Sequence, residues 1–317
     1  VIERLLDDAG ESRWCGRMRG AMKQKPQRKK EMPQDRAVHI FFEIMGVLIL
    51  IIELYPLIYV LSASFSSSDA ISLGKVFLWP VEFSLEGFKT LIQNEQILTG
   101  FKNSLIYLFV GVGINMVLTM LLAFPLSRKE LPGRNWITIF VAATMYISGG
   151  LIPTYLLVSK LNLVDTLWGL ILPTAISTTN MIIMRTYFNS SIPEELREAA
   201  FLDGCSYTKF FLKIVIPLSA PILAVIALYY AVGSWNTYFN ALVYLRSSDK
   251  ANLQLVLRDI LLANQIGTGD GSYAENSKLG VTIKYAVIVV SCVPMLAIYP
   301  FVQRYFTKGV MIGSIKG

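Results

Sequence analysis

Histidine is almost missing from this sequence: His39 stands alone in 317 residues. Metal centres and acid–base sites usually draw on several imidazoles or paired titratable groups, so most such schemes fall away. His39 itself, at the foot of the first apolar run, reads as an interfacial residue. Cysteine is scarce as well. Cys15, Cys205 and Cys292 are far apart and show no CxxC spacing, which signals neither a disulfide framework nor a zinc site. No set of catalytic or metal-ligating residues emerges. Charged residues make up only 16% of the chain. A phosphate-cradling GxxxxGK[ST] loop is absent, so any nucleotide chemistry is expected elsewhere. Residues 1–37 lack the apolar core of a signal peptide and are expected to form a basic cytoplasmic tail. No internal repeat is evident, which gives no support to the inverted halves of many secondary transporters.

What is present is apolar: 54% of residues are hydrophobic and the mean hydropathy is +0.51. Soluble domains are rarely so apolar. The hydrophobic residues gather into six runs, each near the roughly 20 residues that a helix needs to cross a bilayer. They lie near 40–61, 103–124, 136–157, 166–187, 214–235 and 282–303. The expected fold is therefore all-α and polytopic, with a transmembrane domain over 38–303 and a cytoplasmic tail over 304–317. Basic residues set the orientation, because Lys- and Arg-rich loops stay inside. They crowd before the first run and recur at Arg128, Lys129 and Arg134, at Arg197, Lys209 and Lys213, and in the tail. The predicted location is a membrane, crossed several times, with both termini cytoplasmic. The net charge of +7 flanks membrane spans and forms no soluble basic face, which argues against nucleic acid as a partner. Glu53, inside the first run, is expected to find a structural ion pair, the alternatives being that it lines the translocation path or reaches the interface.

One cytoplasmic segment, about 191–217, has a pattern of its own. Ser191 with Glu194 fits a capping box, Pro193 suits a first turn, and a helix is expected from about Ile192 to Asp203. Gly204 then permits a left-handed closing turn, and Ser206 is placed to cap a second helix. The small residues Ala199, Ala200 and Gly204 permit close approach of a large partner, with Glu198 supplying a charge.

The spacing Glu198-Ala199-Ala200, three residues, Gly204, nine residues, Ile214, one residue, Ile216-Pro217 resembles the EAA loop of ABC importer permeases, with Ile216 where the family has Leu. The resemblance extends over most of 40–317 and is closest to the carbohydrate-uptake branch, the subunits similar to the smaller maltose permease. Gly233-Ser234-Trp235-Asn236-Thr237-Tyr238-Phe239 and the closing Lys308 to Gly317 carry it further, towards Gram-positive permeases for complex oligosaccharides of the pectin and rhamnogalacturonan type. It implies that Glu198, Ala199, Ala200 and Gly204 form a coupling helix. It also implies a second permease subunit as heterodimer partner, a MalK-like ATPase dimer that binds ATP and Mg, and an extracellular solute-binding protein. This chain itself would need no cofactor.

For a carbohydrate path the residue types to seek are aromatics, which stack on sugar faces, and amides, which pair with hydroxyls. Tyr229, Tyr230, Trp235, Asn236, Tyr238 and Asn240 form one such cluster and Asn180, beside Ser177 to Thr179, belongs to another. Aromatics at a membrane boundary also form interfacial belts, and Ser or Thr in a span often bonds backbone, so both readings stand at this point. The stretch 246–280 reads as a long outer loop. Alternatives are an ABC permease for a polyol or glycerol phosphate compound, and an ion-coupled secondary transporter, which would not need the elbow.

Overall fold

The computed structural model describes residues 33–266 and 273–314, so most of the basic tail and the last residues lie outside it. Among the described residues the chain is helical, the sole β feature being a bridge between Ser66 and Phe83. Three helices have the length and apolarity to cross a membrane: α1 (Pro33–Ser64), α4 (Glu95–Ser127) and α14 (Tyr273–Ser314). Between them lie short α2 (Ser68–Ser72) and α3 (Glu86–Gln93), then α5 (Arg134–Ala143) and α6 (Leu151–Lys160). They are followed by α7 (Leu167–Thr174), α8 (Thr178–Ser191), α9 (Glu194–Leu202), α10 (Tyr207–Leu218), α11 (Ala220–Trp235), α12 (Phe239–Tyr244) and α13 (Leu253–Ile266).

α4 shows why these sequences fold as they do. Asn94 caps it by accepting from the backbone N–H groups of Gln96 and Ile97 at 3.0 and 3.2 Å. It stops where Arg128 turns extended, three residues past Pro125. Along it Ser104, Tyr107, Gly111, Asn115 and Thr119 recur at helical spacing and are all buried. The exposed face carries apolar residues such as Phe109, Val117 and Leu121, and the polar stripe points into the protein, the arrangement that a membrane-spanning helix requires.

Several expected spans take a different form. The run at 136–157 is divided into α5 and α6, each 10 residues and each about 15 Å long, by a turn ending at Gly150 with φ +81°. Gly149-Gly150 followed by Pro153 favours that break, because glycine takes the left-handed conformation freely and proline fits only the first turn of a new helix. The run at 166–187 becomes α7 and α8, bent by 55° where Pro173 ends one helix and Ser177 caps the next. The run at 214–235 starts six residues later than its first apolar residue, at Ala220, after an 81° bend from α10 at Ser219 between Pro217 and Pro221. The stretch 246–280 is no open loop: a short 3-10 turn, α13 and the start of α14 fill it, and only 267–272 lies outside the described residues.

The described residues up to Leu57 form a unit of their own, and the apolar ones from Val38 on are exposed. Glu53 is exposed there, and the structural pair expected for it is not formed among the described residues. From Ile58 onwards two main cores form. One joins Phe124, Met184, Phe188, Phe210 and Val215; the other joins Ile97, Leu108, Trp235, Leu253 and Val287.

Candidate functional site

Between those two cores lies a cavity of about 410 Å³, walled by the middle of α4, the α7–α8 bend and the last turns of α11. Its lining includes Tyr107, Asn115, Ser177, Asn180, Tyr229, Tyr230, Ser234, Thr237 and Asn240. Among the described residues no Lys, Arg, Asp or Glu lines it, so recognition inside it falls to hydroxyls, amides and rings. The polar groups divide into two sets. The first is spent on holding the walls together: Tyr230 Oη shares a hydrogen with Thr119 Oγ1 at 2.6 Å and accepts from the Ser177 N–H at 2.9 Å. That joins α4, α8 and α11 through one phenol. Asn115, with its amide nitrogen turned to the α7–α8 bend, donates to the carbonyls of Gly111 and Ala175 at 3.1 and 3.2 Å. Tyr107 Oη donates to the Lys250 carbonyl at 2.7 Å.

The second set is uncommitted. The side chains of Asn180, Tyr229 and Asn240 make no hydrogen bond among the described residues and border the cavity. A ligand rich in hydroxyls would meet donors and acceptors already desolvated on one side and without an internal competitor. The cavity therefore gathers Ser177, Asn180, Tyr229, Tyr230 and Asn240 from the expected path. Trp235 and Asn236 are not among its walls. Trp235 is 2% exposed, its Nε1 donates to the Ser291 carbonyl at 2.9 Å, and its ring meets Phe101 edge-on, so it pins α11 to α14 and α4. Asn236 bonds its own helix through the Val232 carbonyl. Both border a second, more apolar cavity of about 920 Å³. Sequence reading missed Tyr107, Asn115, Thr119 and Ser234, although the polar stripe on α4 was there to find.

The second feature is the α9–α10 elbow. Its helix starts at Glu194, with Pro193 as the cap residue and no side-chain cap bond, so the Ser191–Glu194 capping box does not form; Ser191 is still the last residue of α8. The turn itself is a Schellman closure: Gly204 N–H bonds the Phe201 carbonyl and Cys205 N–H bonds the Ala200 carbonyl, at 3.0 and 2.9 Å, with Gly204 at φ +77°. Ser206 then caps α10 through the Lys209 N–H. Glu198, Ala199 and Gly204 are exposed, and a Cβ at Gly204 would meet nothing among the described residues. Ala200 differs: it is buried against the core with Phe210 and Val215, so its small size serves internal packing. Leu202 is 90% exposed, an apolar knob at the tip that motif reading overlooked.

A transmembrane core with a hydroxyl-rich cavity and an exposed elbow agrees with comparison against known proteins. Residues 103–312 match the family described as binding-protein-dependent transport system inner membrane component. The chain belongs to that family. Protein LplC of Bacillus subtilis (strain 168) is 38% identical to it over 283 residues, covering 87% of this chain and 95% of the relative. The polygalacturonan/rhamnogalacturonan transport system permease protein YtcP of the same organism is 42% identical over 264 residues, covering 83% of this chain and 92% of the relative. Among solved structures, the permease superimposes with a TM-score of 0.81 on a chain from a bacterial ABC transporter involved in the import of the acidic polysaccharide alginate. That chain is 33% identical, with 87% of this chain and 99% of that one covered.

Proposed function

We propose that this permease is the membrane-spanning subunit of an ATP-driven importer that passes an oligosaccharide inward through the α4–α8–α11 cavity. The observation that carries it is the division of polar groups there: Tyr230, Thr119 and Asn115 brace the walls while Asn180, Tyr229 and Asn240 are left for a ligand. A polyhydroxylated solute answers that pattern, with a tyrosine ring for stacking and amides for hydroxyls. The relatives named for polygalacturonan, rhamnogalacturonan and alginate support the same substrate class.

In this reading the chain makes six crossings with both termini cytoplasmic. α1, α4 and α14 supply three, the bent pairs α7–α8 and α10–α11 supply two, and α5 with α6 together make the remaining passage. A second permease subunit completes the path as a heterodimer. An extracellular solute-binding protein delivers the sugar, and a MalK-like ATPase dimer holds ATP and Mg. The elbow meets that ATPase with Glu198, Ala199 and Gly204, and Leu202 enters an apolar socket on it, because removing an exposed leucine side chain from water is worth about 2 kcal/mol. Alternating access then follows from rigid-body motion driven through the elbow.

The test is purification of the chain with its second permease and the ATPase, wild type beside Gly204→Asp. The reading expects the ATPase to stay with wild type and to be lost, or its hydrolysis uncoupled, in the variant. Failure of the wild-type chain to retain any ATPase would overturn it.

A further inference from the structure

α9 is continuous in the chain with α8 on one side and α10–α11 on the other, so a push on the elbow reaches those helices covalently. α4, which supplies Tyr107, Gly111 and Asn115 to the cavity, is reached only through space. Hydrogen bonds already join α4 to α8 and α11, and two further kinds of tie link it to the elbow itself. One is apolar: the Phe124 ring lies 4.7 Å from that of Phe211 and 6.5 Å from that of Phe210. Ring contacts of this kind resist separation, but their energy changes little when one helix slides along the other.

The other tie is ionic and fixes register. Arg197, on α9, has its side chain only 13% exposed and bridges two carboxylates: Glu130 at 2.6 Å and Glu194 one turn back on its own helix. Its guanidinium also lies 5.4 Å over the Phe201 ring. Glu130 belongs to the short connection that follows α4, two residues beyond Arg128. Arg128 is buried, donating to Ser127 Oγ at 3.0 Å and to the Phe188 carbonyl at 3.2 Å, with its guanidinium over the Phe124 ring. Arg185 from α8 adds a bond to the Leu126 carbonyl at 2.8 Å. The base on which Glu130 stands is therefore held to the end of α4, and a guanidinium–carboxylate pair is directional enough to carry displacement along the helix axis.

We infer that Arg197 is a positioning residue that transmits elbow movement to α4 through Glu130, so that α4 and the elbow move as one body when the ATPase closes. Glu194 serves only to orient the guanidinium. The inference rests on the docking of the elbow proposed above and adds a route by which that docking reshapes the cavity wall.

The test uses the assembled complex with its native cysteines replaced and spin labels at the exposed positions 129 and 208, at the end of α4 and the start of α10. Distances are compared between the nucleotide-free state and the state trapped with ATP and vanadate. In wild type the distance is expected to stay constant. In Glu130→Gln it is expected to change by about 2 Å or more, the scale of helix shifts in such transitions. Glu194→Gln, which removes only the partner on the same helix, should behave as wild type, and Glu130→Asp should fall between the two. A constant distance in Glu130→Gln, or a changing one in wild type, overturns the inference. Loss of the ATPase from wild type instead overturns the docking reading and appears as failed copurification, a different readout.

Discussion

The two ends of α4 are handled in opposite ways. At 33 residues the helix is about 50 Å long, and near its beginning Asn103 donates to the carbonyls of Asp249 and Ala251 while Tyr107 donates to that of Lys250. The segment so held is closed by Asp165. Its carboxylate accepts from the N–H groups of Arg246 and Ser247, from Ser247 Oγ at 2.6 Å and from Lys250 Nζ at 2.9 Å, and its own backbone sits in the left-handed region at φ +63°. At the other end, Arg197, Arg128 and Arg185 secure the inner side of the elbow, while Leu202, Glu198 and Gly204 are left uncovered. The clasp spends its polar groups on itself, and the elbow keeps its outer surface for something else. That difference separates a structural device from an interface better than burial alone does.

The contrast breaks most sharply at Leu202. Leu202→Asp is expected to weaken ATPase association by about 2 kcal/mol or more, roughly 30-fold, in a titration of the ATPase against the permease complex. The melting temperature of the permease should be unchanged, since an exposed tip contributes little to its own fold. Asp165→Asn should give the reverse signature: a lower melting temperature with ATPase binding intact.

The pH dependence sharpens the clasp further. The Ser247 hydroxyl first, then the Ser247 and Arg246 N–H groups and Lys250, hold the Asp165 carboxyl well below the usual carboxylate range. Its contribution is thus fully present above the unfolded value of about 4 and is lost as pH falls through the depressed folded value. The difference in melting temperature between wild type and Asp165→Asn should be flat from pH 5 to 8 and shrink below about pH 4. A difference that faded between pH 7 and 5 would show that another group carries the effect.

A smaller effect is expected at Gly204. Gly204→Ala should cost about 1 kcal/mol in stability because a Cβ disfavours φ +77°, and Gly204→Asn less, since asparagine tolerates that conformation. If both instead bind the ATPase as weakly as Leu202→Asp does, the side-chain-free surface matters more than the turn. The smallest change concerns the brace in the cavity. Thr119→Val with Tyr230→Phe should cost less together than the sum of the two singly, because each alone strands a buried partner.

Much of this was legible in the chain. Uninterrupted apolar runs gave α1, α4 and α14, since backbone groups in lipid must be satisfied within the helix and little else is possible there. The elbow was readable because Gly204 and Ser206 act through local backbone geometry, which depends on near neighbours alone. The capping box was misread for a related reason: α8 continues through Ser191, and tertiary packing of Phe188 and Ile192 extends it past the local signal.

Sequence by itself determined the helical class, the membrane setting and the place of the elbow, because hydrophobicity and turn chemistry are properties of short segments. Only the tertiary structure decided which side chains face inward. It turned Trp235 away from the cavity to bond Ser291, set Ala200 against the core beside the exposed Ala199, and brought Thr119 to Tyr230 across 111 positions of chain. Where no continuous polar stripe like that of α4 announces the direction of the core, the rotation of a helix is fixed by the packing and hydrogen bonds of its neighbours.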